Sequence, residues 1–398
     1  MKRVLLHVGT PKTGTSFLQE VLLQNRTILA EHDVHYPAER FDEHFLAALD
    51  LMQLTWGGLE TQAIGAWSRL AAAVRGIEHG TVIISHEILA RATRAQAEQA
   101  IDDLGRDAEV HVVLSARDLM RQIPAEWQEN IKHRRTFSYA RFLRLIQDPE
   151  RSSGDGSWFW GVQELPAILD RWGAALPPEQ LHVITVPPPG SDRDLLWKRF
   201  VDAFGLGAID LDLSEIGRAN PSLGVPETAL LRRINWAVND LVPSADYRPA
   251  VREQLAHGTL ARRHESPRLA VPPEMVEWVD ATSRSWVDDL RSRGCQVVGD
   301  LGDLIGQQPR VYVSPDNPAE KQVNAAAVDV ISTLLVEQIK VVHERDHLAG
   351  ELDRAHQQIE LLRLTFVERV KRRILNGLDR SRVGRGIHWV YRLARGRA

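Results

Sequence analysis

The chain has 398 residues, of which 43% are hydrophobic and 26% are charged, and its formal net charge is −4. This composition is that of a soluble globular protein, the length allows one large domain with an appendage, and the small negative charge gives no global attraction to nucleic acid. Because Cys295 is the single cysteine, an intrachain disulfide framework and a cysteine-based zinc site are excluded.

Four short runs rich in β-branched residues alternate with longer stretches of helical pattern. The first run ends at Gly9, and apolar residues recur at helical spacing from Ser16 onward, so a strand, a glycine-containing loop and a helix follow one another. This alternation predicts an α/β fold in which a parallel sheet is flanked by helices on both faces. In that fold ligands bind beyond the carboxyl ends of the strands. The four runs are residues 4–8, 81–85, 110–114 and 181–186.

The character of the sequence changes after the first predicted domain, residues 1–312. Residues 313–325 are predicted to be a linker, and residues 326–370 carry apolar positions that alternate at three and four residues, which is typical of a coiled-coil helix. Gln338 and Arg345 fall on this seam and would weaken it or set its register. We therefore predict a long C-terminal helix that pairs with a second copy of the chain. The alternative is a single amphipathic helix that lies on the globular domain.

The last predicted segment, residues 371–398, contains nine Lys or Arg residues and one acidic residue, Asp379. Aromatic and aliphatic residues are mixed into it, as in a basic amphipathic helix that binds an anionic membrane surface. The alternative is a solvated, partly disordered tail. No signal peptide or spanning helix is predicted, so we expect a cytoplasmic protein that could bind the inner membrane face peripherally.

The loop after the first run has the layout of a phosphate-binding loop. Gly9 and Gly14 have the spacing of a P-loop, in which backbone amides turn inward on an anion, and Ser16 stands where such a loop places its hydroxyl. An ATPase has lysine directly after the second glycine, where this chain has Thr15, and the lysine is found at Lys12 instead. A lysine inside the loop favours a shorter phospho-group over a nucleoside triphosphate.

The run Pro-Lys-Thr-Gly-Thr-Ser at positions 11–16, between a strand and a helix, resembles the 5'-phosphosulfate loop of PAPS-dependent sulfotransferases. The resemblance follows the element order over residues 1–300 and is most specific at this loop. It implies a P-loop-type fold and a loop that binds the 5'-phosphate of PAPS (3'-phosphoadenylyl sulfate), with Lys12 stabilising the bridging oxygen as the sulfuryl group leaves. The donor-binding loop residues that it implies are Pro11, Lys12, Thr13, Gly14, Thr15 and Ser16.

PAPS also carries a 3'-phosphate, so the resemblance implies a second anion site at the end of the third run. Arg117 has the position of the family's 3'-phosphate arginine, and its guanidinium suits bidentate phosphate binding. Many relatives have a serine eight residues after that arginine, whereas this chain has Ala125 there. Ser115, Arg121 and Gln122 are the candidates to replace it; otherwise Arg117 and the loop hold the phosphate alone.

Transfer to a hydroxyl requires a general base near the donor. The second run ends in Ser85, His86 and Glu87. The resemblance implies histidine as the base in members that act on small molecules and glutamate in many that act on carbohydrates. Because neighbouring strand residues point to opposite faces, one of the two faces the acceptor, and Glu87 at the loop junction is favoured over His86. The loop amides and Lys12 balance the charge, so no metal is required.

Together these features predict a sulfotransferase that moves a sulfuryl group from PAPS to a hydroxyl of a carbohydrate, glycolipid or other small acceptor by in-line transfer. One alternative is a P-loop kinase for a small molecule or sugar, but it would need magnesium ligands and a lysine where this chain has Thr15. The other alternative is a non-catalytic nucleotide-fold scaffold that acts through its coiled coil.

Overall fold

The computed structural model describes residues 2–214, 216, 222–263, 265–378, 382–394 and 396. The chain divides into two units, Met1–Val330 and Ile331–Ala398. The first unit is built around a six-stranded sheet in which all paired strands run parallel. Its strands are β1 (Lys2–Gly9), β2 (Val34–His35), β3 (Gly80–Ser85), β4 (Ala108–Ala116), β5 (Leu181–Thr185) and β6 (Gln296–Val298).

The strand order β2-β3-β1-β4-β5-β6 places β1 between β3 and β4. The chain builds one side of the sheet with β2 and β3 and then crosses to the other side with β4, so the carboxyl ends of β1, β3 and β4 meet where the order reverses. The four predicted strands are confirmed to within two residues at each end. β2 and β6 are not predicted from the sequence, because strands of two and three residues are too short to form an apolar run.

Helices cover both faces of this sheet, as the alternating pattern predicts. They are α1 (Thr15–Gln24), α2 (Arg26–Glu31), α3 (Glu43–Met52), α4 (Glu60–Ala63), α5 (Ala66–Arg75), α6 (Arg94–Asp103), α7 (Leu119–Lys132), α8 (Tyr139–Gln147), α9 (Gly154–Gln163), α10 (Leu165–Trp172), α11 (Leu195–Phe204), α12 (Val225–Val238), α13 (Ser244–Tyr247) and α14 (Val276–Arg293), with a π-helix at Arg248–His257.

The central strand β1 supplies side chains to two hydrophobic cores. Val4 and Leu6 belong to the larger core, which α7 and most other helices cover, whereas Leu5 belongs to a smaller core closed by α1 and α11. Successive strand residues point to opposite faces of a sheet, so one strand can support both layers. Because β1 is packed on both faces, its carboxyl end is held rigidly, and so is the start of the loop that follows it.

A single helix of 59 residues, α15 (Glu320–Leu378), continues into the second unit. It begins inside the predicted linker, residues 313–325, and Val323 and Ala326 are buried in the core of the first unit. The predicted coiled-coil residues 326–370 therefore form part of one continuous helix. Large apolar side chains on the predicted seam are exposed: Ile331, Leu334, Val341, Leu348, Leu352, Ile359, Leu362 and Phe366.

Helix α16 (Arg382–Ala394) makes up much of the predicted tail, residues 371–398. Trp389 and Val390 on this helix have exposed side chains. Among the helices that the structure describes, none combines the length and the apolar character needed to cross a membrane. The rest of the predicted tail includes positions outside the described residues, namely 379–381, 395 and 397–398.

Candidate active site

The loop between β1 and α1 leaves the first turn of α1 without a side-chain cap. Gly14 has a left-handed φ of 89° directly before the helix, and no side chain of the described residues caps the first-turn amides. These N–H groups have no acceptor within the helix and lie at the positive end of its dipole. The side chain of Ser16, in the same turn, is exposed. The helix start therefore offers amides and a hydroxyl together, which is what binding of a phosphate requires.

Gly9 lets the loop approach the end of β3 closely. Its φ is 130°, and a Cβ on it would lie 2.7 Å from the carbonyl oxygen of Glu87, so a side chain cannot be accommodated there without a shift. On the other side, the backbone amide of Thr10 donates to the carbonyl oxygen of Ser115 on β4 at 2.7 Å. The loop is thus held between the ends of β3 and β4.

Buried hydroxyl groups support the loop from below. Thr13 Oγ1 lies 2.6 Å from the carbonyl oxygen of Thr10 and 2.5 Å from Ser115 Oγ. Ser115 Oγ in turn lies 2.9 Å from the carbonyl oxygen of Gly9. These contacts engage the carbonyl oxygens of Gly9 and Thr10, so the hydroxyl groups hold the backbone of the loop in place.

His7 extends this network to the neighbouring strand. Its Nε2 lies 3.0 Å from Ser115 Oγ and its Nδ1 lies 2.8 Å from Ser85 Oγ. Burial lowers the pKa of His7 to about 4, so the ring is neutral near pH 7 and one nitrogen donates while the other accepts. Ser115, predicted from the sequence as a donor-binding residue, is fully buried within this network. Its side chain supports the loop from below.

Arg117 follows β4 and reaches the loop from the side. Its Nη1 donates to the carbonyl oxygen of Lys12 at 3.3 Å, and its Nε is buried without a hydrogen-bond partner among the described residues. Burial, and next the charge of Arg121, lower the pKa of Arg117 to about 10, which leaves it charged near pH 7. A buried cation with an unused donor beside a phosphate loop is suited to a second anionic group.

The two other candidates for the missing serine are engaged with protein groups. Arg121 forms an ion pair with Asp118 and donates to the carbonyl oxygen of Pro187 at 2.9 Å. Gln122 donates from Nε2 to the carbonyl oxygen of Pro11 at 2.5 Å. These residues position the loop and the end of β5, whereas Arg117 keeps a buried Nε without a partner among the described residues.

His86, at the end of β3, uses one ring nitrogen locally. Its Nδ1 accepts a hydrogen bond from the backbone amide of Ile88 at 3.3 Å and so caps the short 3₁₀ helix Glu87–Arg91. Burial lowers the pKa of His86, against the opposing effect of Glu87. The neutral ring therefore carries its proton on Nε2, where it can donate but cannot accept a proton. This tautomer does not suit a general base.

Glu87 is tied to the start of α1. Gln19 donates from Nε2 to Glu87 Oε2 at 3.3 Å. Burial by itself would raise the pKa of Glu87, but the charge interaction with His86 and hydrogen bonding to the carboxylate outweigh it and hold the pKa below its ordinary value. Glu87 is therefore an ionised carboxylate beside the loop, which can accept a proton.

Glu129 on α7, which sequence reasoning missed, forms an ion pair with the loop lysine. Its Oε2 lies 2.5 Å from Lys12 Nζ, and its Oε1 lies 3.1 Å from Arg252 and 3.2 Å from His133. Burial would raise the pKa of Glu129, but Lys12, His133 and Lys132 outweigh burial and hold the pKa well below the ordinary value. An internal carboxylate is thus paired with the cation of the loop.

A second acidic residue of α7, Glu126, lies deeper. Gln163 donates to Glu126 Oε1 at 3.0 Å. Burial raises the pKa of Glu126 to about 7; Lys12 opposes this shift, and Glu129 adds to it. Near neutral pH this carboxyl group is therefore partly protonated, and it contributes less negative charge near the loop than its position suggests.

A polar stripe on α7 is the sequence signal that could have found these residues. Gln122, Glu126, Glu129 and His133 recur at spacings of four, three and four, so they share one face of a helix. This helix begins directly after the end of β4, where Arg117 already marks the predicted site. When a helix starts at the carboxyl edge of a parallel sheet, polar side chains on its inward face indicate a ligand-binding site.

No protein-family model and no curated protein matches the chain. Among solved structures it is similar to a sulfotransferase from Alicyclobacillus acidocaldarius, with 17% sequence identity and a TM-score of 0.38, over 74% of this chain and 96% of the other. Likeness at this level carries no argument about what the protein does, which therefore rests on the loop and its neighbours.

Proposed function

We propose that this protein is a sulfotransferase that uses PAPS and transfers its sulfuryl group to a hydroxyl of a carbohydrate, glycolipid or other small acceptor. The observation that carries the proposal is the loop at positions 11–16, in which Lys12 precedes a helix start without a side-chain cap and Glu87 accepts a hydrogen bond from Gln19 of α1 at 3.3 Å. An anion site, a cation and an ionised carboxylate are thereby brought to one edge of the sheet.

The residues at this edge fit a nucleotide donor with two anionic ends. The amides before and in the first turn of α1 suit the 5'-phosphosulfate, and Lys12 lies among them. Arg117 has a buried Nε without a partner among the described residues and suits the 3'-phosphate. When bound, PAPS would supply an activated sulfuryl group. Lys12 would then exchange its contact with Glu129 for a contact with the donor.

Glu87 is the residue that we assign as the general base. Its carboxylate is ionised near pH 7, lies beside the loop, and accepts a hydrogen bond from Gln19 that holds its orientation. His86 lacks a free lone pair, because Nδ1 accepts from the backbone amide of Ile88. His86 instead positions the turn that carries Glu87.

Calorimetric titration with PAP (3'-phosphoadenosine 5'-phosphate), beside ATP with magnesium, tests the donor. We expect tight binding of PAP, weak binding of ATP, and at least about a tenfold loss of PAP affinity in Lys12→Ala, because a charge-assisted contact to phosphate is removed. The matched control is Lys198→Ala, since Lys198 is an exposed lysine paired with Asp194 on α11. Unchanged PAP binding in Lys12→Ala would contradict the assignment. A preference for ATP would favour a kinase, and binding of neither would favour a scaffold.

We also propose that two copies of the chain pair through α15. Exposed apolar side chains recur at three and four residues from Ile331 to Phe366, which is the spacing of a coiled-coil seam. A helix of this length has no internal means of burying such a stripe, and a second copy presents an identical one.

For α16 we propose peripheral binding to an anionic membrane surface. The helix exposes Trp389 and Val390, and the surrounding sequence is strongly basic. Aromatic and aliphatic side chains that enter the headgroup region, together with Lys and Arg beside it, are the features of an interfacial helix.

A further inference from the structure

Beside the loop, α7 and the π-helix bring together cations that the donor does not account for. Lys132 is the last residue of α7, and Arg252 comes from the middle of the π-helix. Both approach the carboxylate of Glu129, which also contacts Lys12: Lys132 lies 4.0 Å from Oε2 and Arg252 lies 3.1 Å from Oε1. We infer that this pair binds an anionic group of the acceptor, so that the substrate is an acidic, ring-bearing hydroxyl compound such as a uronate-, sulfate- or phosphate-bearing sugar. The inference rests on the proposed function and names its acceptor class.

Lys132 is buried without a close partner. Its side chain is 5% exposed, its nearest carboxylate oxygen, on Glu129, lies 4.0 Å from Nζ, and no hydrogen bond to a described residue is formed by its ammonium group. Burial lowers the pKa of Lys132 to about 8, against the opposing effect of Glu129, so it remains largely charged near pH 7. A buried ammonium group with so distant a partner gains most from an added anion.

Arg252 also keeps unused donor capacity. Its Nη2 contacts Glu129 at 3.1 Å and its Nη1 contacts His133 Nε2 at 3.0 Å, but its Nε is buried without a partner among the described residues. His257, one turn further along the same helix, has an Nδ1 in the same condition. An arginine placed in this way can hold a carboxylate or a phosphate oxygen.

The charges around Glu129 do not balance once the donor is bound. Lys12, Lys132 and Arg252 all interact with this one carboxylate. When Lys12 turns to the donor, two cations remain for a single negative charge. Glu253, the acid of the π-helix, also interacts with Lys132, but it is exposed and forms its ion pair with Arg248 at 3.5 Å. One positive charge is therefore left for the acceptor.

An aromatic wall connects these cations to the end of β3. The ring of Trp56 lies 5.8 Å from His133 and 5.6 Å from Trp158, and Phe45 contacts both Trp56 at 5.7 Å and His86 at 5.0 Å. Trp56 and Trp158 are partly exposed. Flat apolar surfaces beside a few polar groups are typical of sites for ring-bearing ligands. An acceptor whose acidic group is bound at the cation end of this wall would extend toward the carboxylate of Glu87 at the β3 end.

Matched glycosides test the inference on the full-length protein saturated with PAP. The probes are p-nitrophenyl glucuronide, p-nitrophenyl glucoside 6-phosphate and the neutral p-nitrophenyl glucoside. We expect calorimetry to give each acidic probe an affinity at least about tenfold above that of the neutral one, because each gains a charge-assisted contact. Lys132→Met and Arg252→Gln should each remove most of this preference and leave the affinity for the neutral glucoside unchanged.

The matched control is Arg248→Gln, an exposed arginine on the same π-helix, which should keep the full preference. Thermal unfolding monitors folding of each variant, and Arg252, which is partly exposed, carries the test if Lys132→Met unfolds. Equal binding of the three probes, or no binding of the acidic ones, would overturn the inference. A loss of PAP affinity larger than the loss of affinity for the acidic probes would overturn it too, by assigning the cations to the donor. Failure of the wild-type protein to bind PAP would instead contradict the proposed function.

Discussion

Replacing Glu129 by glutamine should tighten donor binding, although the residue lies within the proposed site. The carboxylate now lies 2.5 Å from Lys12 Nζ and holds the lysine that the donor needs. A bound phosphate must displace this contact and then remains near the negative charge. Glu129→Gln removes the charge and keeps the shape of the side chain, so the lysine becomes available and the repulsion disappears.

The size of the effect follows from the geometry. Two unit charges about 6 Å apart, which is the separation expected for Glu129 and a phosphate held by Lys12, repel by about 3 kcal/mol at an effective dielectric constant of about 20. One third of the Lys12 side chain is exposed, so water and salt reduce this to about 1–2 kcal/mol, or roughly a 5- to 30-fold gain in PAP affinity. The ligand-free variant should unfold at a lower temperature, because Lys132 and Arg252 lose their shared carboxylate.

Calorimetry with PAP at two salt concentrations measures the effect, and the gain should shrink at higher salt. Glu253→Gln is the matched control, because it removes an equal charge from an exposed position on the π-helix without touching Lys12. If Glu129→Gln bound PAP no more tightly than the wild type, the lysine would not be the phosphate contact, and the reasoning about the loop would be refuted.

Four further outcomes are expected. Glu87→Gln should lower the transfer rate by roughly 10²- to 10⁴-fold with PAP binding retained, whereas His86→Gln should have a smaller effect, as measured with labelled PAPS; equal losses would contradict the assignment of the base. The pKa of Glu126 is raised to about 7 on folding, so the proton that it holds stabilises the folded state at low pH and that contribution is lost as pH rises through about 7. Glu126→Gln should therefore raise the unfolding free energy more at pH 8 than at pH 5 in urea titrations, and a pH-independent change would count against this pKa. Leu352→Glu, on the exposed seam, should convert a dimer to a monomer in light scattering, and an unchanged mass would refute pairing through α15. Deletion of residues 371–398 should reduce sedimentation with anionic vesicles; equal sedimentation would exclude this segment as the membrane contact.

The strands and the loop could be predicted because their signals are local. A β-branched run that stops at Gly9, followed by apolar residues at helical spacing from Ser16, predicts a strand, a loop and a helix within a short stretch of sequence. The position of Arg117 could be predicted in the same way, since it directly follows a run that forms a strand, and its role in donor binding stays a prediction. Short-range patterns of this kind do not depend on where the rest of the chain packs.

The partners of these residues could not be predicted, because they depend on tertiary contacts. Glu129 lies twelve residues after Arg117 on a helix, and Arg252 lies more than one hundred residues further along the chain. No spacing rule joins such positions, and their charges suit a solvated helix face equally well. The tautomer of His86 likewise depends on the turn that follows β3, which sets the direction of the Ile88 amide.

The hydroxyl network beneath the loop has a consequence for how this region can vary. Ser85, Ser115 and Thr13 come from β3, β4 and the loop itself, and His7 on β1 joins the first two. Removing one member leaves buried neighbours without a hydrogen-bond partner, so single changes are costly, whereas further changes in the same network cost less than their sum. Substitutions at these positions on three strands and the loop are therefore coupled in their effect on stability. Which substitutions one position tolerates depends on the residues at the others, even though none of them is predicted to carry out the reaction.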